Sequence, residues 1–438
     1  MVTKVDTATV KLWGEIVGAV SWLDDKAYSI FEYAPSFLKK GLDISPLHMS
    51  IDDAINGDGR FSFSSLNKET YLGLPGLLAD ALPDKFGNSI IDAWLARNGR
   101  DSASFSPVER LCYAGKRSLG ALEFSPSVID RYDESVPVEV SELVGLAQQV
   151  MNERNVLEVS IGQSEQGNAD AIMDILRVGT SAGGARPKAV IAMDKDGNVM
   201  SGQARVPENY QYWILKFDGV SDLELGEPRG YGRIEYAYHL MAKAAGIEME
   251  ESSLLVENGR AHFMTRRFDR VGGRKLHMQT LCGIAHYDFN MAGAYSYEQA
   301  FTVMRRLRLS KAEATEQYRR MVFNVFARNQ DDHTKNIAFL MGSDGNWKLS
   351  PVYDVIYSHN PAGQWTNQHQ MSMNGKRDNF VLDDLIAVAE SISLTRTDNV
   401  INQVYTAVER WPEYAKAAGV NDKTIQEISA NHRLDLVM

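Results

Sequence analysis

At 438 residues the chain is too long for one ordinary core, and two or three packed units are expected. Its 44% apolar and 24% charged residues are those of an ordinary soluble globular protein, and no apolar run approaches the roughly 20 residues of a membrane span. The 46 basic against 57 acidic side chains give a net charge of −11, which argues against nucleic acid as the main direct partner and leaves DNA contact to a basic partner protein.

The opening VKLWGEIVGAV and AYSIFEY alternate with period two and read as a hairpin or small sheet, without the continuous apolar centre of a signal peptide. Helical patterns follow around Leu72–Ala81, ending near Pro83, and over Asn88–Asn98. Two apolar runs separated by Gly115–Ser118 within Leu111–Phe124 suggest another hairpin, and the polar, acidic stretch Ser125–Glu139 suits a subdomain boundary. Gly162–Ala169 is a candidate surface loop, after which Met173–Arg177, Ala189–Met193 and Tyr212–Phe217 read as strands. Tyr231–Ala245 is an amphipathic helix ending at Gly246. Beyond Phe268 the chain is mainly helical: Tyr297–Leu307, Lys311–Arg328, Leu382–Ser393, Asp398–Arg410 and Asp422–Asn431 carry apolar residues at helical spacing. Cys112 and Cys282 offer neither a disulfide framework nor a zinc site and suit a reducing cytoplasm.

The segment with most chemistry is RNQDDHTKNIAF, Arg328–Phe339, which joins a helix to a short apolar strand. Asp331 and Asn336 lie five positions apart, the Asp-to-Asn spacing of a kinase catalytic loop, so the carboxylate can face an acceptor hydroxyl and the amide oxygen a metal. Lys335 suits γ-phosphate charge and His333 suits bracing the loop; a merely solvated polar loop is the plain alternative. Asp354, in WKLSPVYDVIYS, follows an apolar strand, and a carboxylate there suits a hard cation or else a turn or helix N-cap. Lys216, in YWILKFDG, sits on an aromatic and branched strand; its ammonium suits phosphate, or reaches solvent from a sheet edge. Glu235, in the first turn of the next helix, is the candidate partner for that lysine, or an ordinary helix-start carboxylate. The turn GTSAGGARPK, Gly179–Lys188, has small residues for close approach to phosphate and cations at Arg186 and Lys188, a weak signal by itself.

Taken together, these segments resemble the HipA family of serine/threonine kinase toxins, over nearly the whole length. VKLWGEIVGAV…FEYAPSFL, LLADALPDKFGNSII and SPVERLCYAGKRSLGALEF are similar to the small domain that precedes the kinase in that family. SAGGARPK resembles its phosphate-binding loop, YWILKF its nucleotide strand, RRFDR its hinge, and DDHTKN with SPVYD its catalytic and magnesium segments. The resemblance implies an α+β, two-lobed kinase-like fold, with a β-rich N-terminal lobe, an appended subdomain and an all-α C-terminal lobe. The expected divisions are an N-terminal subdomain over 1–125, a kinase N-lobe over 140–265 and a helical C-lobe over 269–438. It implies ATP and Mg²⁺ as cofactors, Asp331 as catalytic base, and Asn336 and Asp354 as metal ligands. Nucleotide contacts are implied for Gly183, Gly184, Ala185, Arg186, Pro187, Lys188 and Lys216, for the hinge residues Arg266, Arg267 and Phe268, and for His333, Thr334, Lys335, Asn336 and Tyr353–Asp354. Asp332 stands where the family commonly has glycine and is a candidate further metal-facing carboxylate. Ser181 falls at the family's autophosphorylated serine. The implied partner is a HipB-like helix-turn-helix antitoxin that binds operator DNA, and the implied target class is the aminoacyl-tRNA synthetases.

Two further readings use the same residues. A small-molecule kinase would need the same base and metal ligands. A pseudokinase serving as a co-repressor scaffold would have no need to keep Asp331, Asn336, Asp354 and Lys216 together. A metal-dependent phosphatase built on Asp331, Asp332 and His333 lacks a second histidine-rich motif.

Overall fold

The structure is a computed structural model that describes residues 4–128, 135–145, 147–148, 186–220 and 230–437. The chain divides into two compact units, residues 1–229 with 255–278, and residues 230–254 with 279–438.

The first unit opens with β1 (Thr7–Leu12), β2 (Glu15–Leu23) and β3 (Tyr28–Tyr33), so the expected hairpin or small sheet is a three-stranded antiparallel meander. Ala8, Val10 and Leu12 alternate inward along β1. Trp13 and Gly14 connect β1 to β2 with φ of 51° and 85°, the two positive angles that match a two-residue turn to strand twist. β4 (Arg60–Phe61) and β5 (Leu122–Ser125) complete a five-stranded sheet in the order β4-β3-β2-β1-β5. A second antiparallel sheet has the order β7-β6-β8-β10-β9, from β6 (Lys188–Met193), β7 (Val199–Ser201), β8 (Gln211–Lys216), β9 (Ser252–Glu257) and β10 (Arg260–Arg266).

Residues 111–124 are not a hairpin. Pro107–Ala114 is a helix, and only Leu122–Ser125 is a strand. The deciding feature is a capping box: Ser106 Oγ accepts from the Glu109 backbone, and Glu109 returns a carboxylate to the Ser106 backbone. The helical pattern around Leu72–Ala81 resolves into two single turns, Lys68–Tyr71 and Gly76–Ala79, parted by Leu72 and Gly73 in left-handed conformation.

Helix Lys85–Arg97 carries Ile90, Ile91, Trp94 and Leu95 into one core with Tyr113 and with Ala189, Ile191, Trp213, Leu215 and Met264 of the second sheet. Each fully buried aliphatic side chain there contributes roughly 1.5–3 kcal/mol. The N-terminal segment and the second sheet are therefore packed as one unit. A buried ion network adds to this packing. Arg267 holds Asp269 in a two-pronged pair at 2.9 and 2.7 Å, Arg270 reaches the same carboxylate at 2.8 Å, and Gly120 N donates to it at 2.8 Å. Burial alone would raise the Asp269 pKa, but the two guanidiniums hold it well below the carboxylate range.

The second unit is a helical assembly of Tyr231–Ala244, Tyr297–Arg306, Lys311–Phe326, Leu382–Ser391, Thr397–Glu409, Trp411–Ala417 and Asp422–Ser429. Its core centres on Tyr238, whose ring meets Trp411 at 5.2 Å and Phe323 at 6.2 Å and whose hydroxyl donates to Ala327 O. Ser296–Gln299 and Ser310–Glu313 cap their helices with reciprocal boxes. Ala338–Met341 and Trp347–Leu349 form a short antiparallel pair beyond residues 331–336. The gross pattern is the expected one: α+β, β-rich in the first unit and mainly helical in the second.

Candidate active site

The candidate residues fall in both units. In the second unit, helix Lys311–Phe326 ends, Arg328 turns the chain with φ of 53°, and residues 331–336 follow before strand Ala338–Met341. The expected helix-to-strand connection is thus observed. The loop closes on itself: Asn336 Nδ2 donates to Asp331 O at 2.8 Å, and Asn336 N to His333 O at 2.9 Å. The Asn336 amide nitrogen is thus engaged with the loop's own backbone. Asn336, Tyr353 and Asp354 line one small cavity, so the two expected metal ligands are brought together within this unit. Asp354 has φ of 58°, and Tyr353 donates its hydroxyl to Lys335 O, which ties the two segments to each other.

The same cavity is lined by Asp332 and by Arg320; Asp354 and the Asn336 amide suit magnesium, a hard cation that commonly takes one or two protein oxygens and leaves the rest to water and phosphate. Among the described residues no group of three or more His, Cys, Asp or Glu is placed to hold a metal ion.

Asp331 has a side chain 39% exposed, and its Oδ1 accepts from Trp365 Nε1 at 2.7 Å. Asp332, the candidate further metal-facing carboxylate, lines the same cavity as Asn336 and Asp354. Its carboxylate is 1% exposed and fully engaged: Oδ2 by Tyr297 OH at 2.7 Å and His369 Nδ1 at 2.8 Å, Oδ1 by Gln370 N at 2.7 Å. These donors anchor the loop, because a buried carboxylate without donors would be prohibitive. His333 lies 5.4 Å from the Phe289 ring, Lys335 Nζ stands 4.5 Å over the same ring, and Thr334 donates to Tyr287 O at 2.6 Å. Residues 287–289 and Trp365–Gln370 therefore both brace the loop. Neither brace was visible in the sequence, since nothing marks a tryptophan 34 positions away as a partner of Asp331.

In the first unit, Lys188 and Lys216 are directly opposed across β6 and β8. Opposed lysines disfavour each other unless anionic groups lie nearby. Lys188 is buried, with Nζ 3.5 Å from Asp84 Oδ2, and Lys216 Nζ lies 5.7 Å from the Phe263 ring centre. Asp84 was not anticipated, although its place before KFGN fits an N-cap, and its Oδ1 does accept from Gly87 N. At the expected hinge, Arg267 is buried and committed to Asp269, while Arg266 and Phe268 are half-buried. Gly183, Gly184, Ala185 and Ser181 lie outside the described residues, as does the candidate loop Gly162–Ala169; of that turn only Arg186, Pro187 and Lys188 are described. Glu235 is buried in the first turns of helix Tyr231–Ala244, in the second unit.

A model of the HipA N-terminal domain matches residues 8–125, and a model of the HipA-like C-terminal domain matches residues 180–411, more than half of the chain. The chain belongs to the HipA family. Among solved structures, HipA in the Shewanella oneidensis MR-1 toxin–antitoxin complex of HipA, HipB and operator DNA matches with a TM-score of 0.65. The identity is 16%, over 98% of this chain and 96% of that one, so the fold is HipA-like across both units. The Helicobacter pylori proinflammatory kinase CtkA matches with a TM-score of 0.34 and 12% identity, over 58% of this chain and 91% of that one. A Haemophilus influenzae protein named "Putative kinase" is 25% identical over 199 residues, 39% of this chain. This chain spans 57% of that relative's length.

Proposed function

We propose that this HipA-family chain is a Mg–ATP-dependent kinase that phosphorylates a serine or threonine hydroxyl of a protein, acting as the toxin of a toxin–antitoxin pair. The observation that carries this reading is the Asp331–Asn336 loop. One residue pair offers a partly exposed carboxylate and, with Asp354, two oxygen ligands on one cavity. Asp331 takes the proton of the acceptor hydroxyl. Asn336 and Asp354 hold the metal. Lys216, Lys188 and Arg186, with Gly183, Gly184, Ala185 and Pro187, hold the phosphates, and Glu235 supports the lysine. Arg266, Arg267 and Phe268 form the adenine hinge, and His333, Thr334, Lys335 and Tyr353 line the nucleotide. Bound Mg–ATP supplies the transferable phosphoryl group and the charge neutralisation its transfer requires. The segments 1–125, 140–265 and 269–438 act as N-terminal subdomain, N-lobe and C-lobe.

The family membership supports a HipB-like helix-turn-helix partner, through which DNA is met indirectly, and the net charge of −11 suits a basic one. An aminoacyl-tRNA synthetase is the proposed class of target, Ser181 the proposed site of autophosphorylation, and the cytoplasm the proposed location. Among the described residues, no helix is long and apolar enough to cross a membrane.

The test is intact-mass spectrometry after incubation with ATP and Mg²⁺, together with ADP formation, for the wild type and Asp331→Ala. A gain of one phosphate in the wild type alone, mapped to Ser181, is expected. Absence of both phosphate gain and ADP formation in the wild type would overturn the kinase reading.

A further inference from the structure

We propose that Trp365 is a positioning residue for the catalytic carboxylate, an inference that rests on the kinase reading of Asp331. The Asp331 side chain is 39% exposed, and an exposed carboxylate ordinarily rotates freely about its last side-chain bond. Here the Trp365 indole N–H donates to Oδ1 at 2.7 Å, a short bond to an ionised acceptor. His333 Nε2 lies 3.9 Å from the same oxygen; among the described residues Oδ2 carries no such bond, so the indole takes one oxygen and leaves the other for an acceptor hydroxyl. An indole N–H only donates, and it cannot compete with the carboxylate for the hydroxyl proton.

The indole is itself held by the loop it orients. Gln370 Nε2 donates to Trp365 O, and Gln370 N donates to Asp332 Oδ1 at 2.7 Å. His369 Nδ1 pairs with Asp332 Oδ2 at 2.8 Å. Two adjacent aspartates therefore grip one segment, 365–370, with opposite consequences. Asp332 is buried and saturated and fixes where the segment lies. Asp331 is open and receives from that segment the single bond that sets its direction. Further bonds from Gly293 N to Gln370 O at 2.8 Å and from Ser372 N, just beyond the segment, to Tyr295 O at 2.9 Å join this stretch to the chain at residues 293–295. The segment is thus fixed at several points before it reaches Asp331, as orientation of a base requires.

The experiment compares ADP formation from Mg–ATP by the full chain as wild type, Trp365→Phe, Trp365→His and Asp331→Ala, with ATP affinity measured by calorimetry. Phe keeps an aromatic ring without a donor, and His restores an N–H. The expected result is a fall in kcat of about 10- to 100-fold for Trp365→Phe. The KM and Kd for ATP stay within twofold, His recovers part of the rate, and Trp365→Phe adds nothing further in an Asp331→Ala background. If Trp365→Phe is unstable, replacement of Trp365 by benzothienylalanine, which exchanges only N–H for sulfur, gives the same readout. Wild-type kcat in a variant without the donor, while Asp331→Ala is inactive, would overturn the positioning role and leave the kinase reading intact. Full activity in Asp331→Ala would overturn the kinase reading itself.

Discussion

Two adjacent aspartates show how much a residue's surroundings decide. Asp331 and Asp332 are chemically the same, yet one is 39% and the other 1% exposed at the side chain. Asp332 satisfies Tyr297, His369 and the Gln370 backbone at once. Asp332→Asn keeps the size but turns an NH₂ toward one of those donors, and leaving buried donors unmet costs about 1–3 kcal/mol. We expect a lower midpoint in urea unfolding and a weaker grip on residues 365–370, read as faster proteolysis there than in the wild type. An unchanged midpoint would show that the network holds without its charge. Arg267 teaches the same lesson at the hinge: its guanidinium is committed to Asp269 inside the protein.

Among the elements, helix Lys85–Arg97 is the informative one, because its cap and its tertiary partner are one residue. Asp84 Oδ1 accepts from Gly87 N at 2.6 Å, and its Oδ2 faces the buried Lys188 ammonium at 3.5 Å. Asp84→Asn retains the cap and removes the charge, whereas Asp84→Ala removes both. The Ala variant should therefore be less stable than the Asn variant by about 1 kcal/mol, the usual worth of an N-cap. Chemical denaturation of the pair measures that difference directly, and equal stabilities would mean that the cap contributes nothing. The mistaken hairpin over Leu111–Phe124 has a related cause. The apolar run LCYA has no period that separates strand from helix, and the Ser106–Glu109 box upstream is what decides.

At the scale of the whole molecule, buried histidines set the acid limit. Burial pushes His239 down to about 4, helped by Lys243; it pushes His277 down to about 4 and, with Arg328 nearby, His432 down to about 3. Each binds its proton more readily when unfolded, so its contribution is fully present above about pH 6.5. That contribution is lost as pH falls from there toward 4, at roughly 1 kcal/mol per pH unit for each group. Asp43 works in the opposite sense: burial raises it to about 6, so lowering the pH from 6 to 4 relieves rather than adds cost. Burial also lowers His262 and His359, which act in the same sense, and together these histidines predict a thermal midpoint that drops steadily between pH 6.5 and 4.5. His432→Gln should flatten the slope, and an equal slope in that variant would remove His432 from the account.

The sequence by itself determined the local periods: the opening meander, the strand carrying Lys216, and the amphipathic helices beyond Phe268, each now found within a few residues of its expected place. It also brought the Asp331–Asn336 spacing and the family to view, since both are properties of residues close along the chain. Only the tertiary structure decided which aspartate is buried, that Trp365 bonds Asp331, and that Asp84 meets Lys188 across more than a hundred residues. The physical reason is range. Backbone hydrogen bonding and side-chain alternation act over a few residues and leave a periodic trace. A side-chain hydrogen bond or buried ion pair depends on distant segments meeting to within a few tenths of an ångström, and leaves none.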